Sequence, residues 1–242
     1  MRAIARVCIA LLCMTGCTCA EPRTDVPLYR AQRGTPVIDG RLDDDAWQNA
    51  AATEPFVNTM TGAPADPHTT ARFAWDEANL YVAFEVEDDF LKCDLEGDDP
   101  HLWEQDTVEI MADPGGDGRN YFELQLSPTN QVFDTRYDSR RVPQPFGHVS
   151  WDSGMRGVAI ARGTVNDEGA DEGYVAELAI PWTAFAHGSP PASRPQPGEE
   201  WRIALYVLDA RPGGGQGGVG WSPPLVGDFH VPERFGRVIF DE

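Results

Sequence analysis

Short runs of alternating apolar and polar side chains, each cut off by turn-forming residues, constrain this chain more than any other feature. Over residues 80–87, Leu80, Val82, Phe84 and Val86 fall on one side of an extended backbone, and Tyr81, Ala83, Glu85 and Glu87 on the other. Period-two alternation of this length marks a strand with one buried face. The pattern returns at 107–112, where Val108, Ile110 and Ala112 oppose Thr107, Glu109 and Met111. It returns again at 121–126, where Phe122, Leu124 and Leu126 oppose Tyr121, Glu123 and Gln125. Further strands are expected at 71–76, 130–136, 157–165, 174–180, 201–209 and 237–240. Turn chemistry separates them, as at Asp76-Glu77-Ala78-Asn79 and Asp113-Pro114-Gly115-Gly116-Asp117-Gly118. The Pro-rich stretch 189–197 and the Gly-rich stretch 213–220 read as loops, and Pro181 to Phe185 as a single helical turn. Many short strands at hairpin spacing predict an all-β fold, an antiparallel β-sandwich of jelly-roll type. Neither a repeat nor a second domain interrupts the pattern, so residues 34–242 are expected to form one domain.

The N-terminal residues follow different rules. Arg2 and Arg6 precede an apolar run over 7–14 that is too short to span a bilayer as a helix. Residues 1–16 therefore read as a signal peptide. Met14-Thr15-Gly16-Cys17 resembles a bacterial lipobox, which makes Cys17 the lipidated first residue of the mature protein. Secretion after cleavage at Ala20 is the alternative. Residues 17–33, polar and carrying Pro22 and Pro27, read as a lipidated tether. Either route exports the protein, to the cell envelope (on a lipid anchor at the outer membrane) or to the medium. Of five Cys, Cys8 and Cys13 leave with the signal and Cys17 would carry lipid. Cys19 and Cys93 are then one candidate pair, not a disulfide framework.

Charge narrows the partners. Lys and Arg number 19 against 39 Asp and Glu, a net charge of −20. Such a surface repels phosphate backbones and anionic headgroups, which excludes nucleic acid and leaves the membrane only through a lipid anchor. Neutral ligands are favoured over acidic ones.

The stretch Trp103-Glu104-Gln105-Asp106-Thr107-Val108-Glu109-Ile110 sets an aromatic plate and a carboxylate at the start of a strand. A flat apolar ring beside a fixed acceptor suits a sugar, which has C–H faces and hydroxyl edges. Three other segments keep it company. They are Thr35 to Asp43 followed by Trp47; Ala71 to Asp76 with Asn79 to Val82; and Phe229-His230-Val231-Pro232-Glu233-Arg234-Phe235-Gly236. In this order and spacing the four segments resemble the family 9 carbohydrate-binding modules, over about residues 34–242. That resemblance implies a β-sandwich gripping poly- or oligosaccharide between two aromatic rings, without catalysis, and structural calcium. Matched residue by residue, Trp103 is the first plate, Glu109 a hydroxyl-binding carboxylate, and Phe229 stands where the family has a second Trp. The family's Arg on the neighbouring strand has no counterpart; Glu123 and Gln125 occupy that polar face and complete the expected site.

Other chemistries fare less well. Hydrolysis of a glycoside needs two carboxylates flanking a bond, and nothing in the sequence marks such a pair. Haem ligation, the habit of related electron-transfer sandwiches, would fall to Met111 or to the loop residues His101, His148 and His230. A cell-surface structural or assembly role with a vestigial groove is a further alternative. For Ca²⁺ the oxygen-bearing candidates are Asp113, Asp117 and Asn120 in the Gly-rich loop, and the cluster Asp94, Glu96, Asp98 and Asp99, neither with EF-hand spacing. Residues 213–220 lack the Lys and following helix of a phosphate loop.

Overall fold

The computed structural model describes residues 21–187 and 193–242. The signal peptide 1–16, the lipidation candidate Cys17 and Cys19 lie outside the described residues; Cys93 is buried. The strands in chain order are β1 (Leu28–Arg33), β2 (Val57–Asn58), β3 (His68–Trp75), β4 (Asn79–Glu87), β5 (Thr107–Asp113) and β6 (Arg119–Leu126). They continue as β7 (Val132–Ser139), β8 (Arg156–Arg162), β9 (Gly173–Pro181), β10 (Glu200–Ala210), β11 (Gln216–Gly220) and β12 (Gly236–Phe240), with a helix α1 (Asp45–Asn49) between β1 and β2.

These strands make two layers sharing one strand. The first runs β7-β6-β5-β10-β12-β1, with β11 beside β10 and β2 beside β11; the second runs β1-β3-β4-β9-β8. Residues Leu28 to Ala31 pair with β12, then Gln32 and Arg33 pair with β3, both in parallel. Every other strand pairing is antiparallel, as the hairpin spacing predicts. Residues 28–33 were expected within a tether. They form a strand because Tyr29 and Ala31 alternate into the core while the backbone bonds both layers. Two polar-flanked apolar residues are too few for the pattern to announce.

The inward faces are those the alternation assigns: Leu80, Val82, Phe84 and Val86 meet Val108, Ile110, Ala112, Phe122, Leu124 and Leu126 in one cluster. At one end Trp75, Trp182, Trp201, Phe185 and Phe240 meet edge-on with centroids 5.0 to 6.5 Å apart. That geometry sets positive ring edges against negative faces. The outer face of the second layer is covered by α1. Asp44 caps that helix, accepting from Ala46 N at 2.9 Å and Trp47 N at 3.1 Å. The buried Glu177 carboxylate anchors the segment, accepting from Trp47 Nε1, Gly40 N and Asp39 N.

The Gly-rich stretch departs from expectation by forming β11 against β10. Gln-Gly-Gly-Val-Gly offers no alternation to read, so only the paired partner reveals the strand. Its glycines permit close approach: a Cβ at Gly220 would lie 2.7 Å from the Tyr206 ring. With β2 it forms one wall above the outer face of the first layer.

Candidate binding site

Register brings the polar residues of β5 and β6 together on that outer face. Glu109 faces Gln125 and Met111 faces Glu123 across the pair. Gln125 Nε2 donates to Glu109 Oε2 at 2.8 Å and to Glu123 Oε1 at 2.7 Å, and the Tyr137 hydroxyl donates to Glu123 Oε2 at 3.1 Å. The floor expected from the sequence therefore forms, but under cover: Glu109 is 2% exposed, Glu123 5% and Gln125 0%. Burial raises both carboxyls. Burial, then the Glu123 charge, lifts Glu109 well above the usual range; burial lifts Glu123 to about 7 against the bonds from Tyr137 and Gln125. The pair thus retains a proton near neutral pH. Glu109 Oε1 and Gln125 Oε1 are buried acceptors without a protein partner. Buried polar atoms ordinarily find partners, so such orphans mark a place where a ligand's hydroxyls can bond.

Two aromatic residues wall a pocket of about 460 Å³ that also exposes Glu109 and Glu123, a size that suits a small ligand. Trp103 sits on a 3₁₀ turn, Leu102–Glu104, just before β5. It is half-buried, stacked on His101 at 4.3 Å and set edge-on against Phe133 at 4.9 Å. Phe229 arrives from the segment between β11 and β12 and stacks on Tyr206 at 4.3 Å with an interplanar angle of 21°. Each ring is thus held by a neighbour while lining the pocket. The structure brings together Trp103, Glu109, Glu123 and Phe229 on one pocket, with Gln125 bonding the two acids from beneath.

Residues that the alternation could not reveal complete the lining: Phe146, Arg141, Asp228, His230 and Gln216. The cation of β6, Arg119, stands at the exposed start of the strand and does not line the pocket; the guanidinium that does comes from the loop after β7. Arg141 has φ of 53° and donates to Asp228 Oδ1 through Nε at 3.1 Å and Nη2 at 2.7 Å, while Arg140 Nη2 reaches Oδ2 at 2.9 Å. Burial opposes the Asp228 charge, yet the two arginines outweigh it and hold the carboxyl at about 2. His230 is pushed down to about 3 by burial and by Arg141, so its ring is neutral, with Nδ1 2.8 Å from the Tyr121 hydroxyl. The adjacent Arg140-Arg141 pair was the one available sequence signal. Of the haem-ligand candidates, Met111 packs among Tyr121, Tyr137 and Tyr206, His101 covers Trp103, and His148 pairs with Asp138 at 3.0 Å.

The loop that carries the calcium candidates is tied by its own side chains. Asp113 Oδ1 accepts from Gly116 N at 3.0 Å and Oδ2 from Gly118 N at 2.8 Å, while Asp117 Oδ1 accepts from Arg119 N at 3.0 Å. Asn120 takes φ of 51°, continuing the turn into β6. These bonds close the loop on itself. In the second cluster Asp94 pairs with Lys92 and Gln105, and Asp99 Oδ1 accepts from Asp134 N.

A sandwich with an aromatic-walled, acid-floored pocket outside its core defines a small-ligand-binding module. The chain belongs to the "Carbohydrate family 9 binding domain-like" family, which matches it over residues 38–242. It is 30% identical over 214 residues to endo-1,4-beta-xylanase A of Thermotoga neapolitana, a match that covers 88% of this chain and 18% of that protein. The chain thus spans less than a fifth of that relative. Among solved structures it is similar to a family 9 module from Caldicellulosiruptor kristjanssonii in complex with cellotriose, with a TM-score of 0.60 and 20% identity over 88% of this chain and 93% of that one. A Bacteroides uniformis protein described as carbohydrate-binding by inference gives a TM-score of 0.69 at 15% identity, over 90% of this chain and 100% of that one.

Proposed function

We propose that this pocket binds neutral poly- or oligosaccharide without catalysis, with Trp103 and Phe229 as aromatic walls and Glu109, Glu123 and Gln125 bonding hydroxyls. The observation that carries the reading is that Trp103 and Phe229, far apart in sequence, line one pocket above an acid floor with unpartnered acceptors. The related module from C. kristjanssonii was crystallised with cellotriose and with glucose, which supports a gluco-configured ligand. Arg141 adds a charged donor from the rim. A binding rather than hydrolytic role is supported by the match to a family of binding domains; Glu109 and Glu123, on adjacent strands, both bond the Gln125 amide at the floor of the pocket.

The test is calorimetric titration with cello- and xylo-oligosaccharides. Trp103→Ala should weaken binding roughly 10- to 100-fold, about 1.4–2.8 kcal/mol, with far-UV circular dichroism unchanged. Unchanged affinity in a folded variant refutes the role of this ring, and loss of fold assigns it to packing.

Our reading also places the protein outside the cytoplasm, retained at the envelope through Cys17 or released. Mass spectrometry of the mature N-terminus distinguishes a diacylglyceryl-Cys17 from a free N-terminus at Glu21. The module would then hold its carrier at a glycan surface.

A further inference from the structure

The lining of the pocket is unbalanced in charge. Glu109, Glu123 and Asp228 bring three carboxyls to it, against the single guanidinium of Arg141. That guanidinium is already engaged, since its Nε and Nη2 both donate to Asp228. Among the described residues neither Glu109 nor Glu123 has a salt bridge to Lys or Arg; the basic ring beside them is His230, with Nε2 3.7 Å from Glu123 Oε2. Burial and Arg141 hold that ring neutral, so it supplies no positive charge.

Buried acids of this kind ordinarily persist beside a cation. The sheet fixes the two side by side, because Glu109 faces Gln125 and Met111 faces Glu123 across β5 and β6. Both oxygens of Glu123 and Oε2 of Glu109 accept bonds from protein groups. Glu109 Oε1 accepts none, although it is buried. The walls favour the same kind of ligand. Trp103, Tyr137, Phe146 and Phe229 line the pocket, and the electron-rich face of such a ring attracts a cation as well as a C–H face.

We propose that the pocket recognises a free amino group on its sugar, taking a cationic amino sugar of glucosamine type in preference to the hydroxyl sugar of the same shape. The inference rests on the sugar-binding reading and narrows its ligand class. Hydroxyl sugars still meet the aromatic walls, while an ammonium adds three N–H donors and the charge that the floor lacks. Its bond to a carboxylate is about twice as strong as one between neutral groups. Burial by itself favours the protonated acids, with Glu123 at about 7 and Glu109 well above its usual range. An adjacent ammonium opposes that preference, so a proton leaves as the amine enters. The other ionisable groups around the two acids keep their state near neutral pH. Arg141 and Asp228 are charged, burial holds Tyr121, Tyr137 and Tyr206 protonated, and His230 stays neutral.

The experiment is calorimetric titration of the full mature chain at about pH 6.5 in about 0.15 M salt, which screens attraction to the acidic surface at large. Three β-1,4-linked probes are compared: cellotriose, the glucosamine trimer and its fully N-acetylated form. The glucosamine trimer should bind about 10-fold tighter than cellotriose, and the acetylated form, which is uncharged, should lose that advantage. Titration in buffers of differing ionisation enthalpy should show proton release with the amine and none with cellotriose. Glu109→Gln, holding Gln125 through its amide oxygen, puts an N–H group where Oε1 stood. It should bring the ratio of amine to hydroxyl affinity down to about 1 or below, since an ammonium cannot accept from that group; Glu123→Gln gives the same readout should Glu109→Gln fail to fold. Glu168→Gln, in the exposed loop between β8 and β9, should leave the ratio unchanged. A wild-type ratio near 1 with measurable cellotriose binding overturns this inference and leaves the sugar-binding reading standing. Absence of binding by all three probes overturns both. A ratio that persists in folded Glu109→Gln, falls equally in Glu168→Gln, or comes without proton release overturns the inference as well.

Discussion

Replacing Glu109 with glutamine should stabilise the unliganded protein, and by more as pH rises. Glu109 is 2% exposed and shares the Gln125 amide with Glu123. Burial, reinforced by the Glu123 charge, keeps its proton bound in the native state far above the pH at which an unfolded glutamate releases it. A raised acid contributes fully below the unfolded value, here 4.5, and is lost as pH climbs toward the folded one. For as long as native Glu109 keeps its proton, each pH unit above that point lowers wild-type stability by up to about 1.4 kcal/mol. In Glu109→Gln the new side chain keeps the bond from Gln125 through its amide oxygen and has no proton to lose. Between pH 5 and pH 7 the variant should gain up to about 3 kcal/mol over wild type, or about 5–10 °C in Tm for a chain of this size. Glu123, lifted to about 7 by burial, imposes its own loss between 4.5 and about 7, and because its charge acts on Glu109 the comparison reads the pair of acids together. Arg141, Tyr137 and Tyr206, the other ionisable groups facing Glu109, are common to both proteins. The assay is thermal melting by intrinsic fluorescence from pH 5 to pH 8. Parallel Tm–pH curves, or a variant that melts below wild type at pH 7.5, would refute the claim that this carboxyl is buried at a cost.

Phe229→Trp, which restores the larger plate of the family pattern, should tighten cello-oligosaccharide binding a few-fold, about 0.5–1 kcal/mol, by calorimetry. Equal or weaker binding would show that the Tyr206 stack leaves no room for the larger ring. Glu177→Ala strands the Trp47 indole N–H and two backbone N–H groups beneath α1. It should cost about 2–4 kcal/mol in chemical denaturation with little effect on sugar affinity. A change below about 1 kcal/mol would mean that water replaces the carboxylate.

The two inward faces of the sandwich were legible because alternation is a property of neighbouring residues. Leu80 to Val86 and Val108 to Ala112 point inward wherever their strands lie, provided one face is buried. The same rule put Glu109, Glu123 and Gln125 on a common face once β5 and β6 paired, and the Trp103 motif named the pocket's rim. β1 and β11 escaped for the opposite reason. Two inward residues, or a run of glycines, carry no period, and their strands exist because a partner supplies the hydrogen bonds. Arg141 escaped because a loop residue's position depends on the path of the chain around it.

Local pattern set which side chains face the core, since the two-residue period of an extended backbone needs no distant partner. Which remote residues share a surface was settled by the folded chain alone. Phe229 reaches Tyr206 and the pocket of Trp103 because non-neighbouring strands pair and loops fold back over the sheet. Those pairings also bury acids that the alternation places on a polar face, which gives Glu109 and Glu123 their altered protonation. Burial is set by everything that packs around a group, and no local pattern encodes it.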